Sequence, residues 1–353
     1  METIRRPIFK VEYAGKNITS DISSNLIGVT YTDHAEGESD EIEITVEDSE
    51  GLWRGDWYPT KGEKMKLDIG YDNQLMPCGT FEVDEIELSG APDTIAIRGL
   101  AAPIKGTLRT KKSSAHENKT LKEIANTIAG KNGLTVTGEI EDVRFTRVTQ
   151  NRETDLGFLK RISYDYGHVF SVRDKQLIFT TIYKLEEGNP VATIDRSQIA
   201  SYSLRDKTAK SFAKAEVKYS NPADKKVVEA NENETDSKSI TKGDTLFMTT
   251  KAENKQQAEQ KAKAALHRSN SRQQEGSISI EGNPLLVAGN NFELTGMGQL
   301  SGKYHIMRSR HRIDRSGGYT TDIEIKRVGY VEVKKQAPKK RVTQKTYEVR
   351  VIQ

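Results

Sequence analysis

The residues of this sequence whose types suit chemistry are six histidines (His34, His116, His168, His267, His305 and His311), one cysteine (Cys78) and 51 carboxylates. Paired imidazoles can hold zinc when they share a face and further ligands converge on them. None of these histidines has HExxH spacing or a cysteine partner. His305 and His311 stand six apart on a predicted strand and so on one face, and read as ordinary surface histidines in preference to a metal pair. A single cysteine excludes intrachain disulfides and thiolate zinc clusters, and Cys78 reads as a small buried residue. No G-x-S-x-G elbow offers a nucleophilic serine. The glycines of LTGMGQLSG follow a strand but open no helix, so they make a turn and not a phosphate cradle. Among so many carboxylates any one Asp/Glu dyad is noise. The expectation is therefore a non-enzyme, without cofactor or metal, whose work is structural.

The elements that must position these residues are mostly strands. In DEIEITVED, Ile42, Ile44 and Val46 alternate with Glu41, Glu43, Thr45 and Glu47, which is the period of a half-buried strand. Leu67, Ile69, Phe81, Val83 and Ile86 continue it, with turn signals at Asp72-Asn73 and Ser89–Pro92. Residues 7–100 thus read as a small antiparallel barrel or sandwich. Near residue 118 the period changes to 3.6. Leu121, Ile124, Ala125 and Ile128 fall on one helical face, Thr120 and Glu123 form a capping box, and Gly130 or Gly133 ends the helix. A second helix places Leu156, Leu159, Ile162, Ser163 and Tyr166 on one face after a Thr154 cap, and HVFSVRDKQLIFTTI reads as a hairpin turning at Asp174-Lys175. Strands resume near residue 191. Residues 221–242 are polar and read as a long mobile loop, and a third helix carries the stripe Ala258, Ala262, Ala265 and Leu266.

The fold class is α+β, mainly β: two small antiparallel β-barrels separated by an inserted α/β module. The expected divisions are 1–107 for the first barrel, 108–190 for the insert, and 191–330 for the second barrel with loop 221–242 and helix 254–270. Residues 331–353 are a basic linker and a last strand. The chain has 353 residues, 30% of them charged and 35% hydrophobic, with mean hydropathy −0.68. That suits a folded protein with extensive surface. No apolar run approaches a membrane span and no apolar leader opens the chain.

Charge is unevenly placed. Nine acidic and no basic residues lie between Asp33 and Glu50, whereas 304–353 carry thirteen Lys or Arg against five Asp or Glu. Either stretch is a solvated surface or half of a charge-complementary contact. Trp53 and Trp57, close together in GLWRGDWYP, are expected to cover a barrel end or an interface. The C-terminal stretch reads as a docking arm. Lys334, Lys335, Lys339, Lys340, Arg341 and Lys345 form an acid-free basic linker around Pro338, and Tyr347, Val349 and Val351 then alternate along a strand that must pair with a sheet edge. That edge belongs to a neighbouring subunit or another partner protein, or to the chain's own second barrel.

Four segments in order, TLKEIANTIAGKNGLTV, QNRETDLGFLKRISYDYGHVFSVRDKQLIF, EGNPLLVAGNNFELTGMG and GKYHIMRSRHRIDRSGGYTTDIEIKR, resemble the phage late control protein D family of contractile-tail baseplate hubs. The second, and the glycine and tyrosine order of the last two, are also similar to the hub part of type VI secretion spike proteins. The resemblance covers roughly 110–330. It implies a homotrimer in which each subunit gives two related barrels. A sixfold tail tube could then sit on a threefold spike around a central channel, through which genomic DNA or cargo passes without specific binding. The implied partners are a second and third copy, a tail tube protein, other baseplate proteins and a spike on a separate polypeptide. The implied location is a virion or injection-particle baseplate, assembled in the bacterial cytoplasm. The competing readings are a tail-associated peptidoglycan hydrolase and a cell-surface-binding tail protein.

Overall fold

In a computed structural model, the structure describes residues 5–101, 110–173, 175–207, 212–221, 226–233 and 245–328. The first third holds β1 (Pro7–Tyr13), β2 (Lys16–Asn17), α1 (Thr19–Ser23), β3 (Leu26–His34), β4 (Glu41–Glu47), β5 (Lys64–Tyr71), β6 (Gln74–Ser89) and β7 (Thr94–Leu100). The middle holds β8 (Lys112–Thr120), α2 (Leu121–Lys131), β9 (Thr135–Thr137), β10 (Arg144–Glu153), α3 (Asp155–Asp165), β11 (His168–Arg173), β12 (Gln176–Thr181) and α4 (Ile182–Glu187). The last third holds β13 (Pro190–Asp195), β14 (Ile199–Asp206), β15 (Lys214–Asn221), β16 (Lys226–Asn233), β17 (Thr245–Lys251), α5 (Lys255–Ser271), β18 (Gln274–Glu281), β19 (Asn291–Thr295), β20 (Gly302–Asp314) and β21 (Gly318–Arg327).

The fold is mainly β, but no closed barrel forms among the described residues. One 13-stranded sheet runs β14-β18-β21-β20-β3-β4-β7-β6-β5-β1-β2, with β19 and β13 attached beside β20. The joint is β20. Its first half pairs with β19, from Gly302 to His305. Its second half pairs with β3, from Arg308 opposite His34 to Asp314 opposite Gly28. Its register against β21 shifts between Ile306 and Arg308, a bulge that re-aims the strand. The two β regions therefore share one sheet where the sequence suggested two separate barrels. Length is the reason. Thirteen residues exceed what one small core needs, and alternation cannot show that the two halves of a strand find different neighbours.

The cores stay distinct. Val29, Tyr31, Ile42, Ile44, Met65, Leu67, Phe81 and their neighbours form one, closed by Ile313 and Tyr319 from the ends of β20 and β21. Tyr304, Ile306, Ile323 and Ile325, from the other halves of those strands, build a second with Phe292 and Leu294. Each such buried side chain contributes about 1.5–3 kcal/mol. Gly282 lies so close to Tyr319 that an added Cβ would fall 2.1 Å from its ring, so only glycine fits there.

The middle third buries its own core. The Thr120–Glu123 capping box forms, and Leu121, Ile124, Ala125 and Ile128 are buried against Leu159, Ile162 and Phe179. Asn132 caps α2 and Gly133 follows at φ +66°, in place of Gly130. On α3 the buried set is Asp155, Phe158, Leu159, Ile162 and Ser163, while Leu156 is only partly buried. On α5, Ala264 is buried where Ala265 was expected. A one-residue error in a helical face is about 100° of rotation, which α5 tolerates because neighbouring alanines are equally small. Part of the expected loop 221–242 is strand β16, antiparallel to β15, with β17 parallel to β15 on the other side. Polar strands of this kind carry no hydrophobic period to find. The polar β8, paired with β10, escaped notice for the same reason.

Candidate functional site

Alternation along β3 carries Val29, Tyr31 and Asp33 in one phase, and all three are buried. A carboxylate in that phase must find a partner or cost several kcal/mol. Its partner comes from the middle third. Arg173, at the end of β11, donates from Nη2 to Asp33 Oδ1 at 3.0 Å and to the Tyr31 hydroxyl at 3.2 Å, and lies 3.5 Å from Asp40 Oδ2. Asp33 Oδ2 also accepts from the Ala288 N–H at 3.0 Å, and Asp40 Oδ1 from the His34 N–H at 3.0 Å. The Gly37 N–H donates to the Phe170 carbonyl beside them. This clasp joins three stretches distant in sequence: the β3–β4 turn, β11, and the segment before β19. Burial, then the neighbouring Asp33 charge, pushes the Asp40 carboxyl up to about 7. Burial raises Asp33 as well, against the pull of Arg173.

A second clasp sits at α4, whose start is capped by the Thr181 hydroxyl accepting from the Lys184 N–H. Glu186 reaches Lys326 Nζ on β21 at 2.8 Å and His267 Nε2 on α5 at 3.0 Å. Burial works against the Glu186 charge, but the His267 hydrogen bond and the Lys326 cation outweigh it and hold the carboxyl down to about 2. Around it Lys303 Nζ donates to the Glu186 carbonyl at 2.6 Å, and Asn291 Nδ2 to the Leu185 and Gly188 carbonyls at 2.7 and 2.8 Å. A third contact ties α5 to β10. Glu253 accepts from the Thr146 and Arg147 N–H groups at 2.6 and 3.0 Å, and Gln257 Nε2 donates to the Arg144 carbonyl at 2.7 Å.

The sequence-predicted candidates fare differently. Lys334, Lys335, Lys339, Lys340, Arg341, Lys345, Tyr347, Val349 and Val351 lie outside the described residues. His305 and His311 are not surface residues; both are fully buried. His305 Nδ1 meets Asn291 Oδ1 at 2.9 Å, and His311 lies between Ser309 Oγ and the Tyr319 hydroxyl, each at 2.9 Å. Burial lowers both imidazoles to about 4, so they are neutral at pH 7. Among the described residues no three His, Cys, Asp or Glu side chains gather as metal ligands. Cys78 is buried. The acidic run Asp33–Glu50 is not one continuous surface, because Asp33, Asp40 and Asp48 are buried and Glu43 pairs with Arg98. Trp53 and Trp57 meet edge to face, 5.7 Å apart, over the rim of the first core.

Missed by sequence reasoning were Asp33, Asp40, Arg173, Glu186 and Lys326. A faint signal existed. Asp33 continues the inward-facing alternation Val29-Tyr31 with a charge, whereas Arg173 lies in the phase opposite the core-facing Phe170 and Val172 and carried no such signal.

Ser309 Oγ and His311 Nε2 pair at 2.9 Å but are both fully buried, and the polar groups of the clasps hold pieces of the molecule to one another. The family model described as phage tail baseplate hub (GPD) matches residues 100–317. The chain belongs to the phage tail baseplate hub family. The probable baseplate hub protein of Escherichia phage 186 is 33% identical over 176 residues, which cover 49% of this chain and 44% of that protein. The corresponding protein of Escherichia phage P2 is 31% identical over 176 residues, 49% of this chain and 45% of its own. These matches thus span less than half of either relative's length. In fold, a tail protein from Neisseria meningitidis MC58 is similar with TM-score 0.69 at 13% identity, covering 91% of this chain and 97% of that one. The 43 kDa tail protein of prophage MuSo2 from Shewanella oneidensis gives 0.65 at 16% identity, covering 90% and 97%. An E. coli component of the type VI secretion system gives 0.56 at 11% identity, covering 87% and 74%.

In this member of the baseplate hub family the two clasps lie at the seams between its cores. The family match begins at residue 100, so the first core is known by its fold and not by that match.

Proposed function

We propose that this baseplate hub is a trimeric adaptor that joins a sixfold tail tube to a threefold spike around a central channel. The observation that supports this best is the two-core sheet. Each subunit brings two β units, each with its own core, joined through β20. Three subunits therefore present six such units, the number a sixfold partner requires. The sheet also ends in different edges, β14 on one side and β1 with the two-residue β2 on the other. Unlike edges suit head-to-tail contacts that close into a ring. On this reading the divisions 1–107, 108–190 and 191–330 are the first β unit, a peripheral module and the second β unit. A spike and other baseplate proteins adjoin the ring, and DNA or cargo crosses the channel unbound. Assembly takes place in the bacterial cytoplasm, and residues 334–351 serve as a docking arm.

Light scattering of the purified chain, alone and with its spike, should give the mass of three copies, with each contact burying more than about 1,000 Å². An assembled particle with one or six copies per ring would overturn the reading. Release of label from cell wall by the purified chain would favour a hydrolase instead.

A further inference from the structure

We infer that the cavity beneath Trp53 and Trp57 is the seat of the chain's own C-terminal strand sequence, residues 346–352. This rests on the docking-arm reading above and names its receptor. The cavity has a volume of about 220 Å³ and is lined by Ile18, Ile22, Trp53, Trp57, Pro59 and Met65 among others, with Asp21 the one charged residue. It is smaller than the roughly 300–1,000 Å³ of small-molecule sites, and suits one or two apolar side chains. Beside it the surface stays apolar. Leu52, Trp57 and Tyr58 are 37%, 47% and 50% exposed within a few residues of one another, the kind of patch that marks a contact.

Charge selects the occupant. Residues 7–100 hold 20 acidic and 7 basic residues, net −13. Residues 334–345 hold six cations and no acid, and lead directly into Thr346-Tyr347-Glu348-Val349-Arg350-Val351-Ile352. Extended, that sequence sets Tyr347, Val349 and Val351 on one face. The linker is drawn to the acidic sheet while the apolar face fills the cavity and covers the tryptophans. Arg54 already occupies Asp48 at 3.0 Å and Asp93 at 2.9 Å, so the linker must draw on the other acids of residues 7–100.

Trp53 and Trp57 are the only tryptophans in the chain, so fluorescence excited selectively at tryptophan, apart from the 13 tyrosines, reads this site alone. In the full chain, acrylamide quenching and emission maximum would be compared between the natural protein, Tyr347→Asp/Val349→Asp/Val351→Asp, and Lys339→Glu/Lys340→Glu/Arg341→Glu, after circular dichroism confirms that each is folded. The expected result is loss of quencher protection and a red shift in both variants, and in the natural protein at high salt. Equal quenching in all three overturns the proposal, and protection that appears only when tube or spike protein is added assigns the cavity to that partner instead. Dependence on protein concentration tells a neighbouring copy's segment from the chain's own. Light scattering on the same samples separates the two ideas. A trimer with unchanged quenching removes only the docking, whereas a monomer with altered quenching removes the trimer and leaves the docking.

Discussion

Arg173 is the residue on which the first seam depends, because it is the cation among two buried carboxylates. Its own side chain is 38% exposed while Asp33 is 1% exposed, so solvent screens part of the pairing. Arg173→Met should cost about 2–4 kcal/mol, less than a fully buried pair would lose, and should speed amide exchange in β11 and the β3–β4 turn. Glu186 is 8% and Lys326 6% exposed, and Glu186→Ala should cost about 3–5 kcal/mol by stranding the lysine. The two clasps also differ in sign with pH. Asp40 is raised to about 7, so its preference for the proton stabilises the fold fully below the ordinary carboxylate pKa of about 3.9 and is lost as pH rises through about 7. Glu186 is lowered to about 2; its contribution is present above about 4.3 and is lost as pH falls through about 2. His305 and His311, at about 4, add a loss of stability as pH falls from about 6.5 through that value. Urea titrations of natural protein and Asp40→Asn at several pH values isolate the first effect. Between pH 4 and 8 the stability of the natural protein relative to Asp40→Asn should fall as pH rises; a flat difference would show that Asp40 is not shifted.

At the scale of elements, local signals and packing coincide most fully in α2 and α3. The cap of α2 is reciprocal, with the Glu123 N–H donating to Thr120 Oγ1 at 3.2 Å and the Thr120 N–H to Glu123 Oε2 at 2.7 Å. Thr120→Ala should cost about 1 kcal/mol. Leu159 is fully buried in the core of the middle third, and Leu159→Ala should cost about 2–5 kcal/mol. A melting temperature unchanged by Leu159→Ala would contradict this placement. The α3 face was legible to within one residue; Asp155 escaped because its Oδ2 is held by Lys112 Nζ at 2.7 Å, from a strand no hydrophobic pattern announces. Strand β20 taught the converse. Its alternation was plain, but the partner of each half was not.

For the whole molecule, charge asymmetry is the feature with the longest reach. With a net charge of +3 overall and −13 over residues 7–100, the rest of the chain is strongly basic. Copies that meet head to tail would set acidic sheet against basic surface, an attraction that salt weakens. Association should therefore decline toward about 1 M salt, where the Debye length is about 3 Å, while the melting temperature of the individual fold changes less. Sedimentation at stepped salt checks this, and association that strengthens with salt would point to an apolar contact.

The sequence by itself determined the elements whose residues carry their own instructions: the alternating strands of the first core, the capped helix at Thr120, the helix at Thr154, and the order of segments that marks the hub family. Each depends on neighbours within a few residues, where period and capping act. Only the tertiary structure decided that β20 belongs to two cores at once, that His305 and His311 are buried and neutral, and that Asp33 and Asp40 answer to Arg173. The first and the last of these join residues more than a hundred positions apart. No local period records them, because a hydrogen bond or ion pair across a seam depends on which surfaces meet, and that is fixed only when the cores pack.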